Sequence, residues 1–162
     1  MTKRIIALIV CLAFAQLAFA GIGGNAAVYR GGTLTGVPAN ANGTLYLNDQ
    51  DHATYSASRE GISITIPYQS ITSIEYGQKA GRRVGAAIAT AILVSPVGLA
   101  LLLSKKRKHI LTLGWTSDEG KPQGAVFELG KNVVRTTLVT LETRTGKKVE
   151  YETPEARANI DR

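Results

Sequence analysis

Apolar and polar residues alternate with period two along much of this chain. Ile62, Ile64 and Ile66 are separated by Ser63 and Thr65, the pattern of a half-buried strand that stops at Pro67-Tyr68. Leu111, Leu113 and Trp115 alternate with Thr112, Gly114 and Thr116, and Ala125, Phe127 and Leu129 repeat the pattern after the turn Ser117-Asp118-Glu119-Gly120-Lys121. Residues 28–35, 44–48, 52–58 and 71–76 complete the early strands, with 36–43 as a loop. The period changes after Gly130. Val134, Leu138 and Leu141 fall at i, i+4 and i+7, which predicts an amphipathic helix over 132–145, with Asn132 as N-cap and Gly146 as its stop. Residues 147–152 can add a last strand, and 153–162 read as a flexible tail. Six or seven antiparallel strands closed by a C-terminal helix predict an α+β roll or barrel over 21–152.

Two apolar runs do not fit either period. In the first, Lys3 and Arg4 precede an uncharged stretch and Ala18-Phe19-Ala20, so residues 1–20 read as a signal peptide. Cys11, the chain's one cysteine, lies in that stretch, so the exported chain carries no disulfide. The second run, 84–104, has no charged residue in 21 positions. Its length suits one transmembrane helix of about 20 residues. Ser95-Pro96-Val97-Gly98 puts a turn signal in its middle, however, and splits it into two arms. Each arm of about 10 residues would reach roughly 15 Å, half the hydrocarbon thickness. Three readings follow: a helical hairpin dipping into one leaflet, a single membrane span, or a buried hairpin of a soluble core. In the first, Val84, Ile88, Ile92, Leu93, Val94, Pro96, Leu99, Leu101, Leu102 and Leu103 form the anchor.

Charge sharpens this picture. The chain has 19 Lys and Arg against 12 Asp and Glu, a formal +7. Without the signal, 17 basic residues remain against 12 acidic. Seven of them flank the apolar run: Lys79, Arg82 and Arg83 before it, and Lys105, Lys106, Arg107 and Lys108 after it. A single span carries its Lys and Arg mostly on one side. Cations at both ends suit a hairpin with both feet at anionic headgroups, worth about 1 kcal/mol each. The insertion with its collar spans 82–108. Gly81, Gly85 and Ala89 recur every four residues, a stripe that allows close helix contact and a homo-oligomer through 81–103.

The run ISITIPYQSITSIEYG, residues 62–77, resembles the middle strands of pleckstrin-homology-like and GRAM-type domains. The wider pattern EYGQKAGRR…SKKRKHILTLGW…GAVFELGK…LETRTGKKVEYE is similar to a group of uncharacterised exported bacterial proteins, over roughly residues 43–152. The resemblance implies that strands 71–76 and 109–116 are sheet neighbours. They would then lie on one side of a membrane, which favours the hairpin. The lipid-headgroup-binding members carry basic residues around the first hairpin loop. Here 36–43 and 48–51 contain no cation, so inositol-phosphate binding there is not expected.

Candidate chemistry is sparse. His52 and His109 are the two imidazoles, with no metal-ligand spacing between them. No Ser occupies a G-x-S-x-G elbow, and no Walker sequence occurs. Gly21-x-Gly23-x-x-Ala26 mimics a dinucleotide fingerprint but follows a cleavage signal rather than a strand. Asn42-Gly43-Thr44 is a glycosylation sequon, meaningful only in a eukaryotic secretory route. His109 reads as a solvated strand-end residue, and Glu128 and Glu142 as solubilising carboxylates. The cations bracket an apolar run without interleaved aromatics, so nucleic acid is not an expected partner. The sequence therefore predicts a non-enzymatic, cofactor-free scaffold or interaction module of the bacterial cell envelope or periplasm. Anionic membrane lipids and an unidentified protein are its expected partners. The alternative is a single-pass transmembrane protein with 84–103 crossing the bilayer, and a small hydrolase using the barrel mouth ranks below both.

Overall fold

The period-two segments are strands in the structure, a computed structural model that describes residues 25–77 and 108–158. In chain order they are β1 (Asn25–Gly32), β2 (Ala41–Tyr46), β3 (His52–Ala57), β4 (Ile62–Pro67), β5 (Ile71–Gly77), β6 (His109–Thr116), β7 (Pro122–Leu129) and β8 (Glu150–Tyr151). Two α-helices, α1 (Val134–Thr145) and α2 (Pro154–Ala158), and a short 3-10 helix at Tyr68–Ser70 complete the regular elements of the described residues. The strands form one sheet in the order β4-β3-β2-β1-β7-β6-β5-β8. Neighbours are antiparallel except β8, which runs parallel to β5 with Glu75 opposite Glu150 and Tyr76 opposite Tyr151.

The α+β class therefore holds, but the expected antiparallel barrel does not. The sheet is mixed, and β4 and β8 remain as unpaired edges, so it is not closed. The direction of β8 has a simple origin. Helix α1 carries the chain back from the end of β7, and the chain then returns along β5 in the direction β5 itself travels. The apolar helical insertion expected over 82–108 lies, except for Lys108, outside the described residues.

β1 joins the two halves of the sheet. Its first residues pair with β2, from Asn25 opposite Leu45 to Tyr29 opposite Ala41. The stretch from Ala27 to Gly32 pairs with β7, with a register shift between Tyr29 and Gly31. At this bend the backbones come very close. A Cβ on Gly32, whose φ is +137°, would lie 2.1 Å from the Gly124 carbonyl oxygen. Only glycine fits that approach. The predicted start of this strand at 28 was late because Ala26 and Ala27 carry little hydrophobic signal, and pairing recruits them.

One face of the sheet makes the core. Tyr29, Tyr55 and Phe127 meet there with ring centroids 5.0 to 6.2 Å apart, and Ile74, Leu111 and Leu113 are fully buried beside them. Helix α1 adds Val134, Thr137, Leu138 and Leu141, spaced i, i+3, i+4 and i+7. The expected Asn132 cap is absent. The residue before the helix is Val133, with no side-chain cap, and Thr137 Oγ1 donates to the Val133 carbonyl at 2.7 Å. The same hydroxyl accepts from Asn25 Nδ2 at 2.7 Å, tying the buried polar group to β1. Gly146 stops the helix in the left-handed region as expected, with φ 69°. Within the expected tail, Pro154–Ala158 form α2, where Ala156 is buried and its amide donates to Thr153 Oγ1 at 3.1 Å. Thr153 before Pro154 is a strong helix start that a five-residue helix gives no periodicity to reveal.

Candidate functional site

The residues worth most attention lie where the chain leaves and re-enters the sheet. β5 ends at Gly77 and β6 begins at His109, and Gly77 is paired with Ile110. The segment 78–107 therefore starts and finishes on neighbouring antiparallel strands, at one end of one sheet. Tyr76 and His109 guard this root. The Tyr76 hydroxyl lies 2.6 Å from His109 Nδ1, and the rings stack with centroids 6.2 Å apart. Burial pushes the Tyr76 phenol up to about 12, with the nearby Tyr151 phenol adding to it. Burial also lowers the His109 pKa, as does the Lys131 charge, against a weaker opposing pull from Glu128. Both shifts favour a neutral imidazole accepting from a protonated phenol. His109 is thus more enclosed than the solvated strand-end residue the sequence suggested.

Glu128, on the other face of the sheet by the alternation of β7, collects the nearby cations. Its register explains why. Glu128 is opposite Val28 on β1 and opposite Ile110 on β6, so Arg30 and Lys108 are its diagonal neighbours across the two ladders. Arg30 donates to Glu128 Oε2 through Nε at 2.9 Å and Nη2 at 2.6 Å. Lys108 Nζ donates to the same oxygen at 2.8 Å. The three side chains are 17%, 23% and 26% exposed for Arg30, Glu128 and Lys108, so water screens them only in part. Arg30 also donates to the Asn40 side chain, whose backbone sits in the left-handed region with φ 68°. Partial burial opposes the Glu128 charge, but the hydrogen bonds from Lys108 and Arg30 outweigh it and hold the carboxyl below its usual range.

Most of the predicted site lies outside the described residues. This applies to the anchor residues Val84, Ile88, Ile92, Leu93, Val94, Pro96, Leu99, Leu101, Leu102 and Leu103. It applies equally to the collar cations Lys79, Arg82, Arg83, Lys105, Lys106 and Arg107. Lys108 is described, and its ammonium is engaged by Glu128. The sequence reading missed Arg30, Asn40 and Tyr76, and took Glu128 for a solubilising carboxylate. Arg30 and Glu128 are 98 residues apart, so no local spacing could have joined them. Glu142 has a structural task too: its Oε1 accepts from the Val149 amide at 2.8 Å, fastening the chain after α1.

The second imidazole, His52, is on β3, where it meets Asp49 at 3.2 Å. Backbone hydrogen bonding from Asp51, then the contact with His52, holds the Asp49 carboxyl low. Among the described residues no three His, Cys, Asp or Glu side chains are placed to hold a metal ion. Beside Glu128 an open pocket of about 340 Å³ is lined by Ala26, Asn42, Gly43 and Ser58 among others, and no imidazole joins Ser58 there. Among the described residues no helix is long and apolar enough to cross a membrane. No protein-family model matches this chain, and no curated protein is significantly similar to it.

Proposed function

We propose that this chain is an exported, membrane-associated, non-enzymatic interaction module of pleckstrin-homology-like build in the bacterial cell envelope. Its 84–103 segment enters one leaflet as a hairpin and its cationic collar rests on anionic headgroups. The pairing of Gly77 with Ile110 is the observation that carries this reading. Strands that share a ladder cannot be parted by a bilayer without leaving both edges unsatisfied. A single span through 84–103 would do that to β5 and β6. Two antiparallel meanders, β1–β4 and β5–β7, joined through β1 and β7 with a helix packed on their shared core, support the pleckstrin-homology-like reading. The anchor is consistent with the neutral, hydrogen-bonded root at Tyr76 and His109, which adds no charge of its own next to the apolar segment.

The test is cysteine accessibility in intact cells, in a Cys11→Ala background. Ser58 precedes the segment and Asp118 follows it, and both are exposed. Under the hairpin, Ser58→Cys and Asp118→Cys react equally with a membrane-impermeant maleimide. Opposite reactivity would overturn it in favour of a single span. Removing 84–103 should release the protein from the membrane fraction. Charge removal is best confined to Lys105, Lys106 and Arg107, because Lys108→Ala would also strip Glu128 of a partner.

A further inference from the structure

A second surface lies away from the root, between α1, β8 and α2. It is a groove of about 380 Å³. Arg135, Lys148 and Arg157 line it, and each of these cations is exposed. Among the described residues neither Arg135 nor Lys148 makes an ion pair. The one carboxylate in the lining, Glu142, is already spent on the Val149 amide. The guanidinium of Arg157 sits 5.9 Å from the centre of the Tyr151 ring, and among the described residues it makes no ion pair. The apolar residues of the lining are Leu138 and Val149, which are nearly buried, and Val139, which is not. Val139 is 54% exposed, the most exposed large apolar side chain among the described residues.

The cations are spread along the groove rather than clustered. Arg135 lies in the first turn of α1, and Lys148 adjoins Val149, which is fastened to Glu142 two turns later. Seven residues of helix separate those positions by roughly 10 Å. About three residues of extended peptide cover that length. A single headgroup would satisfy one cation and leave Val139 bare. We propose that this groove docks an acidic, extended peptide segment of a partner protein, with an apolar side chain against Val139 flanked by carboxylates on Arg135, Lys148 and Arg157. This rests on the interaction-module reading above and gives it a partner of stated chemistry.

The test uses the full chain in zwitterionic detergent micelles and a fluorescein-labelled Glu-Asp-Leu-Asp-Glu peptide, followed by fluorescence anisotropy. Saturable binding is expected that weakens at least fivefold from 50 to roughly 500 mM salt, as exposed charges are screened. Arg135→Glu/Arg157→Glu should weaken it at least tenfold with an unchanged thermal midpoint, and Val139→Ser severalfold with the charges intact. Absence of binding, or binding indifferent to the charge reversal, overturns the proposal. So does an outcome in which the reversal leaves peptide binding intact but lowers flotation with phosphatidylglycerol/phosphatidylcholine vesicles, which would make the groove a lipid surface. Failure of the anchor is separable. A chain that floats on vesicles without binding the peptide loses the groove alone, and one that binds the peptide without floating loses the anchor alone.

Discussion

At the scale of single residues, Glu128 on β7 ties β1 and the residue leading into β6 together through one oxygen, which accepts from both Arg30 and Lys108. Glu128→Gln removes the charge but keeps the shape, leaving two partly buried cations without a counterion. Chemical denaturation should show a loss of about 1–2 kcal/mol, the lower part of the range for charged hydrogen bonds because water still reaches the cluster. His109 makes a separate prediction, set by sign. Its folded pKa is below the ordinary value of 6.5, so the fold favours the neutral ring. The stability it contributes is complete above about pH 6.5 and is lost as pH falls through the lower folded value. Melting curves between roughly pH 7 and pH 5 should show the midpoint falling, and His109→Asn should flatten that slope. The Glu128 loss belongs to a lower window, below the usual carboxylate value of 4.5. None of this chemistry was legible from spacing, since Tyr76 and His109 are 33 residues apart and Arg30 and Glu128 further still.

At the scale of elements, sequence legibility followed the strength of the period. β6 was bounded correctly at 109–116, because Leu111, Leu113 and Trp115 give it a clear alternation. The turn after it was equally clear: Gly120 takes φ 74° and its amide donates to the Ser117 carbonyl at 2.8 Å. Weakly patterned pieces were misplaced or missed, as with the alanine-rich start of β1 and the short α2. Helix α1 gives the sharpest energetic test of patterning. Leu138 is 1% exposed and points into the core, whereas its neighbour Val139 is 54% exposed. Leu138→Ala should cost about 2–5 kcal/mol through lost burial and a residual cavity. Val139→Ala should stay within about 0.5 kcal/mol. Urea titration of the two variants side by side checks the contrast. Equal losses would mean that α1 packs through a different face.

At the scale of the whole molecule, the formal +7 is a poor guide to surface character. Arg30 and Lys108 are spent on Glu128, while Arg135, Lys148 and Arg157 line a groove on another side. The adjacency of β5 and β6 was legible from the resemblance of 62–77 and its continuation, because it needs only strand order. The open, mixed sheet was not, because it depends on where a two-residue β8 comes to rest. The pairing of Gly77 with Ile110 also has a consequence for chain entropy. Thirty-two residues separate these partners, so the β5–β6 ladder closes a long loop before it gains its first hydrogen bond. Shortening that loop to about four residues would lower the closure cost by about 2 kcal/mol. A chain in which a tight turn replaces 78–107 should therefore refold faster by more than tenfold in stopped-flow measurements, with little change in unfolding rate. The long connection between β5 and β6 is in this sense a kinetic burden on its host sheet, whatever it contributes once the strands have paired.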